Sequence, residues 1–229
     1  MNLPASLNLA LRRQTGTLAP DGPTIERFLQ YTQRRRYPSR ADIFRPGDAA
    51  GTLYYVIDGS VSILAEEDDN RELILGYFGP GEFVGEMGLF GAFAEQREVT
   101  LRTRSACELA EIGCEQLLQL MSGPLAADAP RLLYGIGGQL ARRLRDTSRK
   151  ASRLAFLDVT DRITRTLHDL AEEPDAMSHP QGTQLRISRQ ELARLVGCSR
   201  EMAGRVLKKL QADGKLHARG KTLVLYGTR

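Results

Sequence analysis

Tryptophan is absent from this chain of 229 residues, which has only three histidines, three cysteines and 6% aromatic residues. Each scarcity removes a class of explanation. Cys107, Cys114 and Cys198 form no Cys-x-x-Cys pair and leave an odd count, so neither a disulfide framework nor a zinc site is indicated. The N-terminal region lacks the cysteine cluster that an iron–sulfur sensor needs. His168, His179 and His217 are scattered, and neither a nucleophile–histidine order nor a Walker or dinucleotide glycine loop is recognisable. No catalytic residue, no metal ligand and no enzymatic activity are expected. Long apolar runs are missing too: none reaches the roughly 20 residues of a membrane span. Arg12 and Arg13 follow the apolar residues of the N-terminal stretch instead of preceding them, unlike a secretory signal. The expectation is a cytoplasmic protein without a membrane partner, its thiols kept reduced.

What is present is ordinary globular composition, 41% hydrophobic and 26% charged, in a chain long enough for two domains. The net charge of +4 is unevenly spread. From Ala151 to Arg229 there are 14 Lys and Arg against 9 Asp and Glu, so the basic character belongs to the C-terminal part. Basic charge gathered on a small domain is an electrostatic footprint for nucleic acid, although solvated basic faces are common.

Residues Thr24–Thr32 read as a short helix. Short apolar or alternating runs then follow at Thr52–Ile57, Ser60–Ala65, Glu72–Phe78, Val99–Arg104 and Ala106–Ile112, separated by turn signals such as Asp58-Gly59 and Gly79-Pro80-Gly81. This spacing predicts an antiparallel sandwich or barrel. Near Arg131 the period changes: Leu133, Ile136, Leu140, Leu144, Thr147, Ala151 and Leu154 step by three and four, with Arg142, Arg143, Arg145, Arg149 and Lys150 on other faces. A narrow seam on one long helix predicts pairing with a second copy, while a helix lying on its own barrel would show the same stripe. Thr147 and Ser148 are polar at or beside that seam, which invites a polar guest.

The third segment carries the sharpest signal. Ser188 to Glu191 is a Ser-x-x-Glu capping box opening a short helix; Gly197 ends it, and Ser199 caps a second helix through Met202, Val206, Leu207 and Leu210. Two helices joined by a short glycine turn form a helix-turn-helix, and His217–Tyr226, alternating about Arg219-Gly220, reads as the hairpin of a wing. The second helix presents Arg200, Glu201 and Arg205 on its first exposed turns. Arginine's fork matches guanine O6 and N7, and glutamate accepts from the cytosine amine. An acid between two arginines is unhelpful for plain phosphate binding but suits base reading. Ser188, Arg189, Gln190 and Lys208 would hold phosphates of double-stranded DNA and set register, and Ser199, the cap, completes the DNA-binding set. A winged helix making protein contacts through a salt-bridged surface is the competing reading.

The stretch RQELARLVGCSREMAGR (Arg189–Arg205), with FLDVT at Phe156 and the closing LYGTR, resembles the CRP/FNR family that includes the catabolite activator protein. RRRYP at Arg34, FVGEMGLF at Phe83 and DRITRTLHDL at Asp161 are similar to its branch of catabolite activator-like proteins. The resemblance implies an α+β fold: an N-terminal extension (1–23), a cyclic-nucleotide-binding β-barrel of jelly-roll type (24–130), a dimerisation helix and hinge (131–157) and a C-terminal winged helix-turn-helix (158–229). It implies a homodimer on palindromes with TGTGA-type half-sites and Arg200, Glu201 and Arg205 as base readers. It also implies contact with the RNA polymerase α subunit through PDAMSHPQG in the loop Glu173–Gly182. The second polymerase-contacting surface departs from the family, with Gln33, Arg35 and Gln116 where histidines and a lysine are usual.

By the same resemblance Gly85, Glu86 and Arg97 belong to a phosphate-binding cassette, with Glu86 on the ribose 2′-hydroxyl and Arg97 on the cyclic phosphate. Thr147 and Ser148 match the helix positions that touch adenine across the dimer. Glu98 breaks the pattern, because cyclic-AMP receptors carry a small serine there. Two like charges about 4 Å apart repel by roughly 4 kcal/mol at an effective dielectric of 20. Glu98 would thus oppose cyclic AMP, and beside Arg97 it would stand in for the phosphate; a mere rim charge is the bland alternative. The branch implies cyclic di-GMP as an effector that switches DNA binding off, with Arg153, Arg165 and Asp169 as guanine readers, the last two equally a surface ion pair one turn apart. No permanently bound cofactor is expected. A cyclic-AMP-activated regulator is one alternative; a cyclic-nucleotide-binding regulatory subunit of a partner protein is another, and leaves the reading helix unexplained.

Overall fold

A computed structural model describes residues 20–67, 71–90, 96–173 and 176–227; the extension before Pro20 and two residues of the Glu173–Gly182 loop lie outside these. Two compact units emerge, the first up to Glu66 and from Ile74 to Arg145, the second comprising Glu67–Leu73 and Asp146–Arg229.

The first unit opens with α1 (Gly22–Leu29), where the Asp21 carboxylate caps the Thr24 amide at 2.9 Å and Pro23 stands in the first turn. Strands β1 (Gln33–Tyr37), β2 (Asp42–Phe44), β3 (Thr52–Asp58), β4 (Val61–Glu67), β5 (Arg71–Phe78), β6 (Phe83–Val84), β7 (Thr100–Thr103) and β8 (Cys107–Gly113) form two four-stranded sheets, ordered β1-β8-β3-β6 and β2-β7-β4-β5. Pairing is antiparallel in every described ladder, in keeping with the spacing of the apolar runs. The run Gln-Arg-Arg-Arg-Tyr hides β1 from a hydrophobic reading. Its partner β8 supplies the reason for it, since Arg36 lies 3.1 Å from Glu108 and the Tyr37 hydroxyl donates to Glu111. Oppositely charged cross-strand neighbours take the place of apolar ones on this edge. Inside, Phe28, Tyr55 and Phe83 meet edge to face or tilted, with centroids 4.9–6.1 Å apart. Burying each such side chain contributes roughly 1.5–3 kcal/mol.

Helix α2 (Cys114–Met121) leads to α3 (Ala129–Phe156), inside which the division between the units falls. The single seam expected on α3 resolves into two stripes. Leu132 and Ile136 are buried in the barrel core and Leu140 packs against it, whereas Leu133, Leu144 and Leu154 stay 39%, 70% and 39% exposed. The buried and the exposed leucines lie on neighbouring helical faces that meet at Leu140, so they read as one stripe in the sequence. A buried staple fixes the start of α3: Asp128 accepts from Thr24 Oγ1 at 3.1 Å and from Arg27 Nε at 2.7 Å.

In the second unit, α4 (Val159–Ala171), capped by Asp158, precedes β9 (Met177–His179), β10 (Gly182–Arg186), α5 (Arg189–Val196), α6 (Arg200–Ala212), β11 (Leu216–Arg219) and β12 (Thr222–Tyr226). The strands form one antiparallel sheet in the order β11-β12-β10-β9, and β11–β12 is the expected hairpin.

Candidate DNA-reading face and nucleotide pocket

Helices α5 and α6 owe their ends to the residues picked out by sequence. The Ser188 and Ser199 hydroxyls each accept an amide three positions on, from Glu191 and Met202, both at 3.1 Å. Gly197 closes α5 with φ +67°, a left-handed conformation that favours glycine. Leu192, Leu195, Ala203, Val206, Leu207 and Leu210 are buried and hold the two helices together. The opposite face is open, and Arg189, Arg200, Glu201, Gly204, Arg205 and Lys208 line one concavity of about 320 Å³. Among the described residues, Arg200, Glu201, Arg205 and Lys208 form no ion pair with one another or with a neighbour. Their charges are available to a ligand. Gln190 is exposed on the first turn of α5, and the Ser188 and Ser199 hydroxyls, accepting as caps, retain a hydrogen to donate.

In the first unit, β6 runs into Gly85 (φ +85°) and a 3-10 turn, Glu86–Phe90. A Cβ on Gly85 would lie 2.9 Å from the Thr52 carbonyl and 3.0 Å from Arg97 Nη1, so backbone and guanidinium can approach only because the residue is glycine. Arg97 is 7% exposed; its guanidinium donates to the carbonyls of Gly85 and Thr52 and lies 4.3 Å from the Phe44 ring centre. Burial pulls its pKa down, and its Nε has no hydrogen-bond partner among the described residues. Glu86, 6% exposed, accepts from Arg143 Nη1 at 2.7 Å, and Arg143 also donates to the Phe83 carbonyl and covers the Phe78 ring. The helical period sets Arg143 off the apolar stripe with the other cations of α3, and the fold brings it into the pocket. Its i, i+4, i+7 and i+11 relation to Leu132, Ile136 and Gln139 was the signal.

Glu98 differs from the arrangement expected for a phosphate mimic. The Arg97 guanidinium is held by carbonyls, while Glu98 is exposed and makes no described ion pair. Its chain neighbour Arg97 points inward and it points out, so in this conformation its charge acts from the rim.

Thr147 and Ser148 are exposed on the part of α3 that belongs to the second unit. There Asp169 pairs with Arg153, not with Arg165: Arg153 Nη1 meets Oδ2 and Nη2 meets Oδ1 at 3.2 Å, a bidentate pair between α3 and α4. Arg165 is exposed without a described ion pair. Lys150, three residues before Arg153, is half-buried; burial, and then the charge of Arg153, bring its pKa down to about 8. Nothing in the sequence marked it, because its burial is a tertiary effect.

Residues 34–123 match the cyclic nucleotide-binding domain family, and residues 185–216 match the bacterial regulatory proteins of the crp family. A domain of the cyclic nucleotide-binding family followed by a crp-family helix-turn-helix defines a bacterial transcription regulator. The chain is 75% identical over 219 residues to the CRP-like protein Clp of Xanthomonas euvesicatoria pv. vesicatoria, covering 96% of this chain and 95% of that one. A solved structure, described as the c-di-GMP responsive global regulator CLP that links cell–cell signaling to virulence gene expression in Xanthomonas campestris, is 77% identical. It superposes with TM-score 0.87 over 91% of this chain and all of its own. TTHA1359, a CRP/FNR family regulator from Thermus thermophilus, shares the fold at 24% identity, with TM-score 0.70 over 84% of this chain and 93% of that one. This protein belongs to the crp family of bacterial regulatory proteins.

Proposed function

We propose that the chain acts as a homodimer that binds palindromic DNA with TGTGA-type half-sites in the absence of ligand and is released from it by cyclic di-GMP. The observation that carries the DNA reading is the open concavity that presents Arg200, Glu201 and Arg205 together on α6, with Arg189 and Lys208 beside them. The base readers are those three; Ser188, Arg189, Gln190 and Lys208 anchor phosphates, and Ser199 caps the reading helix at the same surface. In domain terms, the barrel senses, residues 131–157 dimerise and form the hinge, and residues 158–229 bind DNA. The exposed stripe of Leu133, Leu144 and Leu154 on α3 supplies the apolar face a second copy would cover. The protein works in the cytoplasm by binding, not by catalysis, and contacts the RNA polymerase α subunit through the Glu173–Gly182 loop.

Cyclic di-GMP fits the hinge because Arg153, Arg165 and Asp169 offer the donors and acceptors a guanine edge requires, and the likeness to a regulator responsive to that nucleotide supports the choice. To engage guanine N1 and N2, Asp169 must release Arg153, so binding is coupled to a change at the α3–α4 junction. A ligand moves a two-state equilibrium only by its differential affinity for the states, and a full reversal requires roughly a 10⁴-fold preference. Glu98 at the pocket rim disfavours cyclic AMP, whose phosphate would lie near Arg97.

A labelled TGTGA palindrome titrated with protein alone, then with each nucleotide added, tests the reading. Tight ligand-free binding that weakens with cyclic di-GMP is expected. Operator affinity that rises on adding submicromolar cyclic AMP would replace it with the ordinary cyclic-AMP-activated mechanism.

A further inference from the structure

Arg162, in the first turns of α4, spends its side chain on three main-chain carbonyls. Nη1 donates to Leu157 O at 3.1 Å, Nε to Val196 O at 3.1 Å and Nη2 to Gly197 O at 3.4 Å. These acceptors share one property. Leu157 follows the last residue of α3, and Val196 and Gly197 end α5, so all three are C-terminal carbonyls that a helix leaves without partners and that carry its negative dipole end. A planar guanidinium with five donors can serve three such oxygens from one position.

The placement matters more than the bonds. Leu157 is where the long helix gives way to the hinge. Gly197 stands two residues before Ser199, the cap of α6, which carries Arg200, Glu201 and Arg205. The same turn is packed tightly, since a Cβ on Gly197 would lie 3.2 Å from Leu154 Cδ2 of α3. Arg162 also shares α4 with Asp169, the partner of Arg153, and the Leu157 amide donates to the Arg153 carbonyl at 3.0 Å. The hinge pair and the turn that launches α6 are therefore joined through one helix and one guanidinium.

We infer that Arg162 is a positioning residue that sets the angle of the DNA-reading helix against the end of α3 and carries a change at the Arg153–Asp169 pair to that helix. The second half rests on the proposed effector site; the first does not. Base contacts specify sequence, while phosphate contacts tolerate small misorientations. Loosening the clamp therefore costs discrimination before it costs general affinity.

The test uses the full chain with Arg162→Lys, which keeps the charge but offers a single ammonium, and Arg162→Ala. Operator and scrambled duplexes are titrated in parallel, with and without cyclic di-GMP, alongside sedimentation and thermal unfolding. For Arg162→Lys the expected result is a folded dimer whose affinity for scrambled DNA and salt dependence match the wild type. Its operator-to-scrambled ratio falls at least tenfold, and the change in operator affinity on adding cyclic di-GMP shrinks toward none. Arg162→Ala should show the same losses, larger. A lowered melting temperature with the ratio and the response intact would overturn the proposal by making the role purely structural. A lysine variant that fails to fold would overturn it equally, because folding and not orientation would then be what Arg162 provides. If wild-type operator binding ignores cyclic di-GMP, the effector reading falls, and the ratio on the two duplexes still judges the clamp.

Discussion

Arg143 reaches from α3 into the barrel and binds Glu86 at 2.7 Å, so the carboxylate expected to hold a ribose hydroxyl is already engaged by a cation of its own chain. Both side chains are largely buried, at 17% and 8% exposure. Removing one member of such a pair leaves an uncompensated charge, which typically costs about 3–5 kcal/mol. Arg143→Ala should destabilise the protein by about that amount in urea denaturation, and the double variant Arg143→Met/Glu86→Leu by much less. Additive losses would show that the two groups are not coupled.

Asp128 makes a pH-dependent contribution of opposite kind. Hydrogen bonds from Arg27, opposed by burial and joined by that of Thr24, hold its carboxyl below the usual 3.8. Because the folded pKa is the lower one, its stabilisation is present above about 3.8 and disappears as pH falls through the folded value. Asp128→Asn should lower stability by about 1.5–3 kcal/mol at pH 7, the range for hydrogen bonds to a charged group. The gap between variant and wild type should close below pH 4. A gap independent of pH in a denaturation series would contradict this assignment.

Leu144 is the most informative position on the exposed stripe, being 70% exposed, whereas Leu140 also packs against the barrel core. Leu144→Asp should leave the folded monomer intact, dissociate the dimer in sedimentation and abolish binding to half-sites spaced about 34 Å apart. A variant that remains dimeric would remove the stripe from the interface.

Arg205→Ala and Glu201→Ala should each cost about 1–3 kcal/mol on the cognate half-site and relax preference at one base pair. Lys208→Ala should weaken all sequences alike and flatten the salt dependence. Competition against single-base operator variants distinguishes the two patterns, and uniform losses for all three variants would displace the reading face.

Glu98→Ser should raise affinity for cyclic AMP. The ceiling of roughly a thousandfold set by a 4 kcal/mol repulsion is out of reach, because an exposed carboxylate is solvent-screened. Calorimetry on wild type and variant measures it, and equal affinities would leave Glu98 without a role in ligand choice.

What the sequence determined by itself was local and periodic. Ser188, Ser199 and Gly197 act through bonds within a few residues, so the helix-turn-helix could be bounded from spacing alone, and Arg200, Glu201 and Arg205 could be assigned to one face. The alternation of apolar residues likewise announced the long strands of the barrel, though not β1, whose charged residues match Glu108 and Glu111 only once β8 lies alongside. Tertiary structure alone decided whatever depended on partners distant in the chain. It sent Arg143 into the barrel, gave Asp169 to Arg153 rather than to Arg165, turned Glu98 outward and set Arg162 on three helix ends. A charged side chain has the same helical period whether it faces water or a buried carboxylate. Its role is settled by which acceptor the fold brings within hydrogen-bond reach.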